Sequence, residues 1–147
     1  MRIHIGSDHA GFELKEKVKI YLCDKGYDVI DEGPCNGDRV DYPVYGAKVG
    51  RAVIADEGSK GIVICGSGIG ISIAANKIDG IRAALCGDTL AARLSREHNN
   101  ANVLAMGARL IGETMAMEIA DVFLQTDFAG GRHAARVELI SDIERNR

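Results

Sequence analysis

The sequence predicts an α/β fold: a Rossmann-like, doubly wound parallel sheet of five strands, with a C-terminal helix that extends to a partner subunit. Short β-branched runs alternate with amphipathic stretches along the whole chain, which is typical of a parallel sheet covered by helices on both faces. The run Gly61–Cys65 is followed at once by a glycine-rich turn and a helix, as at the ligand-binding edge of such sheets. A length of 147 residues suits a single domain over residues 1–147.

In the first half of the chain, the predicted strands are short apolar runs, the predicted helices are longer amphipathic segments, and turn residues separate them. In chain order the elements are a strand at Ile3–Ile5, a helix at Phe12–Lys25, a strand at Asp28–Asp31, a helix at Pro43–Asp56 and a strand ending at Cys65. Apolar residues recur at helical spacing after Phe12, and Gly26 suits the C-cap of that helix. Glycine and proline interrupt the pattern over Glu32–Asp41, and Pro43 fits the first turn of the next helix.

The second half continues the alternation and ends in two helices. Its elements are a helix at Ile71–Lys77, a strand at Ile81–Cys86, a helix at Thr89–Glu97, a strand at Val103–Met106 and helices at Glu113–Leu124 and Arg132–Arg145. Asp88 is suited to cap the fourth helix. We expect the strand order 2-1-3-4-5, which puts a switch point between the first and third strands. The loops that carry Asp8-His9 and Cys65-Gly66 then face each other across one crevice.

Composition and charge exclude several classes of function. The net charge is −3, from 18 Lys and Arg against 21 Asp and Glu, so nothing favours binding to nucleic acid or to an anionic membrane. No apolar run approaches the ~20 residues that span a bilayer, and the N-terminus lacks the pattern of a secretory signal. The four cysteines have no metal-site spacing, so we expect free thiols in a cytoplasmic protein without a metal, with packing roles for two of them. The four are Cys23 and Cys86 (packing), Cys35 and Cys65.

The cysteine at the end of the third strand is the leading candidate for chemistry. Backbone N–H groups and the positive end of a helix dipole stabilise anions at such a turn and raise the thiolate fraction of a nearby thiol. The loop Gly66-Ser67-Gly68-Ile69-Gly70 allows close approach of an anion, and one oxyanion donor is worth ~3 kcal/mol. The loop lacks the glycine spacing of a dinucleotide-binding loop and the lysine of a P-loop. It also lacks the arginine that phosphotyrosine phosphatases have six residues after their cysteine, since Ile71 stands there. The alternative is a buried cysteine before an ordinary strand-to-helix turn.

Polar side chains in other loops have two interpretations each. Asp8 and His9 follow the first strand and suit proton transfer or phosphate binding, or else Asp8 caps a helix and His9 is merely solvated. His98 lies in a segment rich in asparagine, where it either binds a ligand or caps the helix dipole. Tyr42 either contacts a small ligand or anchors its loop.

Three arginines suggest a phosphate site. Arg132 and Arg136 stand four residues apart, on one helical face, and Arg109 follows the fifth strand. Guanidinium groups offer planar forks of donors that match phosphate. The alternative is salt bridging on the surface, for example from Arg136 to Glu138 or Asp142.

Together these segments resemble one family over essentially the whole chain: the type-B ribose-5-phosphate isomerases, in the group that includes galactose-6-phosphate isomerase subunits. No single segment is specific, but all of them in this order are. The segments are Gly6–Phe12, Asp41–Pro43, Ile64–Lys77, Ile81–Ala83, Glu97–Asn99, Asn102–Leu104 and Gly130–His133.

The resemblance implies a role for each candidate. Cys65 is implied as the base that moves a proton between C1 and C2. The loop Gly66–Gly70 is implied to hold the enediolate, through the Ser67 hydroxyl and the residues Gly68 and Ile69. His98 is implied in opening the sugar ring with help from Asp8. The other implied roles are phosphate binding by His9, Arg109, Arg132 and Arg136, and sugar contacts by Tyr42 and Asn99.

The resemblance also implies a homodimer or homotetramer whose active sites are shared between subunits, with no metal and no cofactor. One departure is Ser67, where many members carry Thr; the hydroxyl is kept. Ala74 stands near the position where some relatives use an acidic base, which favours the cysteine branch. Other open interpretations are an isomerase of six-carbon sugar phosphates or rare free sugars, a non-catalytic sugar-phosphate-binding module, and a structural dimerisation domain.

Overall fold

A five-stranded, all-parallel sheet in the order β2-β1-β3-β5-β4 forms the centre of the computed structural model, which describes residues 1–147. The strands are β1 (Arg2–Ser7), β2 (Asp28–Gly33), β3 (Lys60–Cys65), β4 (Ala83–Leu85) and β5 (Val103–Gly107). The helices are α1 (Phe12–Asp24), α2 (Tyr42–Ala55), α3 (Ile69–Asn76), α4 (Thr89–Asn99), α5 (Glu113–Gln125) and α6 (Arg132–Arg145). None of the helices has the length and apolar character needed to cross a bilayer.

The sheet is covered on both faces, as the sequence predicted. Alternate residues of the central strands point to opposite faces, so β3 buries Ile62 and Ile64 on one side and Val63 and Cys65 on the other. Helices α1, α4 and α5 pack on the first face, where Phe123 is fully buried. Helices α2 and α3 pack on the second face. The smaller cluster therefore includes Cys65, the last residue of β3.

The predicted order of the last two strands is wrong. β5 lies next to β3, and β4 forms the edge of the sheet. The reason is burial: all five residues of β5 are buried, whereas the three residues of β4 are only partly covered. A short, half-exposed strand suits an edge, and a fully buried strand needs neighbours on both sides. The switch point between β1 and β3 is unaffected, and the Asp8 amide donates to the Ile64 carbonyl there.

Two predicted details change at the surface. Helix α3 begins at Ile69, two residues earlier than its pattern indicated, because Gly68 already turns the chain. All four cysteines are free thiols, and Cys23 is exposed rather than packed, since it lies just past the buried face of α1 that ends with Leu22.

A charged network joins β1, β2 and the end of α2 at the N-terminal edge of the sheet. The ring of His4 is buried between two carboxylates, with 2.8 Å from Nδ1 to Glu32 and 2.8 Å from Nε2 to Asp56. A ring nitrogen satisfies a carboxylate only by donating, so the arrangement is complete when both nitrogens carry hydrogen. Arg2 also donates to Asp56 at 3.2 Å. The hydrogen bond from His4, followed by that from Arg2, lowers the pKa of Asp56 against the opposing effect of burial.

Replacement of Asp56 by Asn should flatten the acid limb of stability. A carboxyl whose folded-state pKa is lowered stabilises the fold above its unfolded pKa of about 4, and that stability is lost as pH falls through the folded value. Chemical denaturation of the wild type between about pH 5 and pH 2 should therefore show a steeper loss than Asp56→Asn. Asp28→Asn is the matched control, because Asp28 contacts Arg2 alone at an exposed position. If Asp56→Asn lost stability with falling pH as steeply as the wild type does, the assignment would be contradicted.

Candidate active site

A cleft opens at the C-terminal edge of the sheet, where β1, β3 and β5 end. Its volume is about 670 Å³, which suits a small metabolite. It is lined by Asp8, His9, Ala10, Tyr42, Cys65, Gly66, Ser67, Ile69, Gly70, Ile73, Arg109 and Leu110. The cleft thus collects side chains from several separate loops, as expected for a switch point.

Cys65 is the last residue of β3 and forms the floor of this cleft. The residue is only 4% exposed, yet it lines the cavity. Its sulfur accepts a hydrogen bond from the Gly68 amide at 3.1 Å. A main-chain donor directed at sulfur stabilises a thiolate, which is the reactive form of cysteine.

The loop after Cys65 exposes several main-chain donors. Gly68 has a left-handed φ of 77° and caps α3, and the Ile69 amide donates to Oγ of Ser67 at 3.2 Å. The amides of Ser67 and Gly70 donate to no group of the chain. Unpaired amides at the start of a helix form an anion site, and a developing oxyanion is stabilised by the same donors.

Two glycines in the loop make room for neighbouring side chains. A Cβ at Gly66 would lie 3.0 Å from Nη1 of Arg109, and a Cβ at Gly70 would lie 2.5 Å from Cε1 of Tyr42. The guanidinium and the phenol ring therefore rest directly on the loop backbone. Arg109 is exposed and has neither an ion pair nor a side-chain hydrogen bond, so its charge is available to an anionic ligand.

Asp8 and His9 form the wall opposite the loop. Oδ1 of Asp8 accepts from the Gly11 amide at 3.0 Å, so the capping interpretation of this residue is correct for one oxygen. Its other oxygen has no partner in the chain. Nδ1 of His9 lies 3.1 Å from the Val40 carbonyl and 3.3 Å from the Val40 amide. Both residues line the cleft, so each keeps a polar group for a ligand.

The remaining candidates form a second cluster at the opposite edge of the sheet. His98 and Asn99 end α4, while Arg132 and Arg136 begin α6, and none of the four lines the cleft that contains Cys65. Helix α4 starts after β4 and returns to the beginning of β5, a length of roughly 16 Å, so its two ends lie at opposite edges. The cleft contains the loops of Asp8-His9 and Cys65-Gly66, which the sequence predicted to face each other, but His98, Asn99 and the arginine pair lie elsewhere within one chain.

The second cluster includes a residue that sequence reasoning missed. The ring of His133 stacks on His98, with centroids 4.3 Å apart and 13° between the planes. Loss of solvent contact, followed by the charges of His98, Arg132 and Arg136, lowers the pKa of His133. The adjacency of His133 to Arg132 was visible in the sequence, but nothing there indicated that α6 begins against the end of α4.

The salt-bridge interpretation of the arginine pair is not what the structure contains. Glu138 and Asp142 both pair with Arg145 at 2.6 Å. Arg132 and Arg136 make no ion pair, and both are exposed. Two unpaired guanidiniums one helical turn apart form a surface suited to a phosphate group. No group of three or more His, Cys, Asp or Glu side chains could hold a metal ion.

Known proteins are similar to this chain along nearly its whole length. The family model described as Ribose/Galactose Isomerase matches residues 3–140. The ribose-5-phosphate isomerase B of Escherichia coli is 48% identical over 146 residues, covering 99% of this chain and 98% of the relative. A Clostridium thermocellum ribose-5-phosphate isomerase B structure superposes with a TM-score of 0.97 at 53% identity, covering 99% of both chains. A Mycoplasma genitalium ribose-5-phosphate isomerase B with bound ribulose-5-phosphate gives 0.96 at 38% identity, covering 99% of this chain and 97% of that one.

Replacement of Gly68 by Ala should strain the loop that holds the sulfur. A left-handed residue with a side chain costs about 1–2 kcal/mol, and the new Cβ would lie 2.7 and 2.9 Å from backbone atoms of Met106 and Gly107. We expect a loss of about 3 kcal/mol in the free energy of unfolding, measured by chemical denaturation. Gly87→Ala is the control, because a Cβ at Gly87 meets nothing within 4 Å; equal losses in the two variants would count against the packing described here.

Proposed function

The chain belongs to the ribose/galactose isomerase family, and we propose that it interconverts ribose 5-phosphate and ribulose 5-phosphate through a cis-enediolate, in the non-oxidative branch of the pentose phosphate pathway. The observation that carries this proposal is the Cys65 sulfur held by a main-chain amide in a cleft that also contains the unpaired cation Arg109. Relatives with this architecture are named for the reaction, and one holds ribulose-5-phosphate.

Cys65 is the proposed base. The thiolate removes the proton from C2 of the open-chain aldehyde, and the electron pair moves to the carbonyl oxygen to give an enediolate. The hydroxyl proton of O2 moves to O1, and the thiol returns its proton to C1 as the bond between C2 and O2 becomes the carbonyl, which gives the ketone. Position supports this role, because the sulfur lies at the end of a strand, lines the cleft and accepts a hydrogen bond from the Gly68 amide.

The loop over Gly66–Gly70 is the proposed holder of the enediolate oxygens. The free amides of Ser67 and Gly70 and the hydroxyl of Ser67 supply donors next to the sulfur. They act where charge develops, so they stabilise the intermediate more than the substrate.

Ring opening and phosphate binding are assigned to residues of both clusters. His98 passes a proton to the ring oxygen with help from Asp8, whose second oxygen is free. His9, Arg109, Arg132 and Arg136 bind the phosphate, and Tyr42 and Asn99 contact the sugar. A fixed phosphate sets the register of the reacting carbons.

The separation of the two clusters supports a homodimer with shared sites, alone or paired into a tetramer. Exposed apolar side chains surround the cleft, and α6 buries none of its residues although it carries three large aliphatic ones. Those at the cleft are Tyr42, Ile69, Ile73 and Leu110, and those on α6 are Leu139, Ile140 and Ile143. Covering such surfaces with a second copy would bring His98 of one chain to Cys65 of the other. A cytoplasmic location is part of the proposal, since free thiols persist in reducing compartments.

Substitution of Cys65 by Ala should abolish most of the isomerisation of ribose 5-phosphate. Loss of a general base lowers kcat by roughly 10²–10⁴-fold. Cys86→Ala is the control, because this second buried cysteine lies in the other core cluster, where burial raises the pKa of its thiol to about 11. A kcat near the wild-type value in Cys65→Ala would exclude the base assignment.

The substrate is tested with a panel of pentose phosphates, hexose phosphates and free sugars, assayed in the presence of EDTA. Faster turnover of a six-carbon or free sugar than of ribose 5-phosphate would identify an isomerase of that other kind.

Mixing two inactive variants should restore activity if sites are shared. Cys65→Ala and His98→Ala each lack one half of every site. A mixed dimer contains one site with both residues intact, so random exchange of subunits should recover about a quarter of the wild-type activity. Unmixed variants after the same exchange treatment provide the control, and no recovery in a verified mixed dimer would show that His98 and Cys65 do not act across subunits.

A further inference from the structure

Lys15 is a buried cation that the proposed reaction does not use. It lies on α1, is fully enclosed, and does not line the cleft. Its ammonium donates to the two carboxylate oxygens of Asp31 at 2.8 and 2.9 Å and to the Pro34 carbonyl at 2.7 Å. Burial of an ammonium costs several kcal/mol unless its hydrogens are satisfied. These three hydrogen bonds, with Oε1 of Glu16 also 3.2 Å away, explain how the charge is tolerated.

The carbonyl that Lys15 binds begins the segment 34–41, the β2–α2 loop, which is held at three points. Lys15 holds its first residue. In the middle, a Cβ at Gly37 would lie 3.7 Å from the ring of Phe12, and that same ring lies 5.1 Å from the Lys15 ammonium. At the far end, Val40 contacts His9. Lys15 and Phe12 therefore fix the part of the loop that is away from the cleft, and His9 meets the part beside it.

Val40 offers both of its backbone groups to one nitrogen of His9. A protonated Nδ1 donates to the Val40 carbonyl, whereas an unprotonated Nδ1 accepts from the Val40 amide. If the ring is charged and its Nδ1 donates, Nε2 also carries a hydrogen. If the ring is neutral and its Nδ1 accepts, the hydrogen of the ring is on Nε2. Nε2 makes no hydrogen bond within the chain. The loop thus holds the ring with a donor available to a ligand in either charge state.

We propose that Lys15 is a positioning residue for the phosphate group of the substrate. It fixes the β2–α2 loop, the loop places Val40, and Val40 orients the ring of His9 toward the phosphate. This inference rests on the function proposed above. Loss of an oriented donor weakens binding of substrate and transition state alike, so KM should rise while kcat changes little.

The test compares two lysines that bind the same carboxylate. Lys15→Met removes the ammonium and keeps a long apolar side chain, and KM for ribose 5-phosphate should rise roughly tenfold, the size of one lost hydrogen bond to a charged group. Lys19→Met is the matched control, because Lys19 also donates to Asp31 at 2.8 Å but makes no contact with the loop carbonyl. An equal rise in KM for both variants would overturn the proposal.

A double-mutant cycle with His9→Ala tests whether Lys15 acts through that ring. In the His9→Ala background, Lys15→Met should add little to KM, whereas additive effects on KM would refute the proposal. If Lys15→Met fails to fold, Asp31→Asn weakens the same anchor and is judged by the same cycle. Titration of the variants with inorganic phosphate, followed by NMR, compares their phosphate affinities without turnover. If the affinities differ as predicted but the chain does not isomerise ribose 5-phosphate, the isomerase proposal is refuted and the positioning role of Lys15 is kept.

Discussion

The site depends on one main-chain contact, the hydrogen bond from the Gly68 amide to the sulfur of Cys65. It forms because the left-handed backbone of Gly68 turns the chain back over the end of β3 and starts α3 in the same step. The absence of a side chain lets the turn pack against the backbone of Met106 and Gly107. The same geometry leaves the Ser67 and Gly70 amides unpaired. The turn conformation, the tight packing and the unpaired main-chain donors of this loop are therefore consequences of one glycine.

Local patterns predicted most of the fold because each element contains its own signal. The run ending at Cys65 and the glycines after it define β3, the loop and α3 with small errors at the ends. The order of β4 and β5 carries no such signal, since both are short apolar runs that follow a helix. Their positions are decided by how much surface each strand can bury, and that quantity depends on the assembled sheet.

The candidate site also contains some residues whose position the sequence could predict and others whose position it could not. Asp8, His9, Cys65 and Arg109 could be placed together from sequence, because the ends of neighbouring parallel strands share an edge. His98 and Arg136 could not, because their position follows from the direction of α4 and from where α6 begins. The stacking of His133 on His98 needs both facts at once. The family resemblance implies sites shared between subunits, and the proposed two-copy assembly would reconcile the two clusters.

Under the proposed assembly, the solvent-exposed last helix would separate folding from activity. Both core clusters are built within one chain, and α6 contributes no buried residue to them. In the proposed two-copy assembly, a lone chain keeps its native secondary structure and core but lacks half of each catalytic centre. Dilution below the dissociation constant of that assembly would then switch the enzyme off without denaturing it, so that the concentration of the chain would set the activity per molecule.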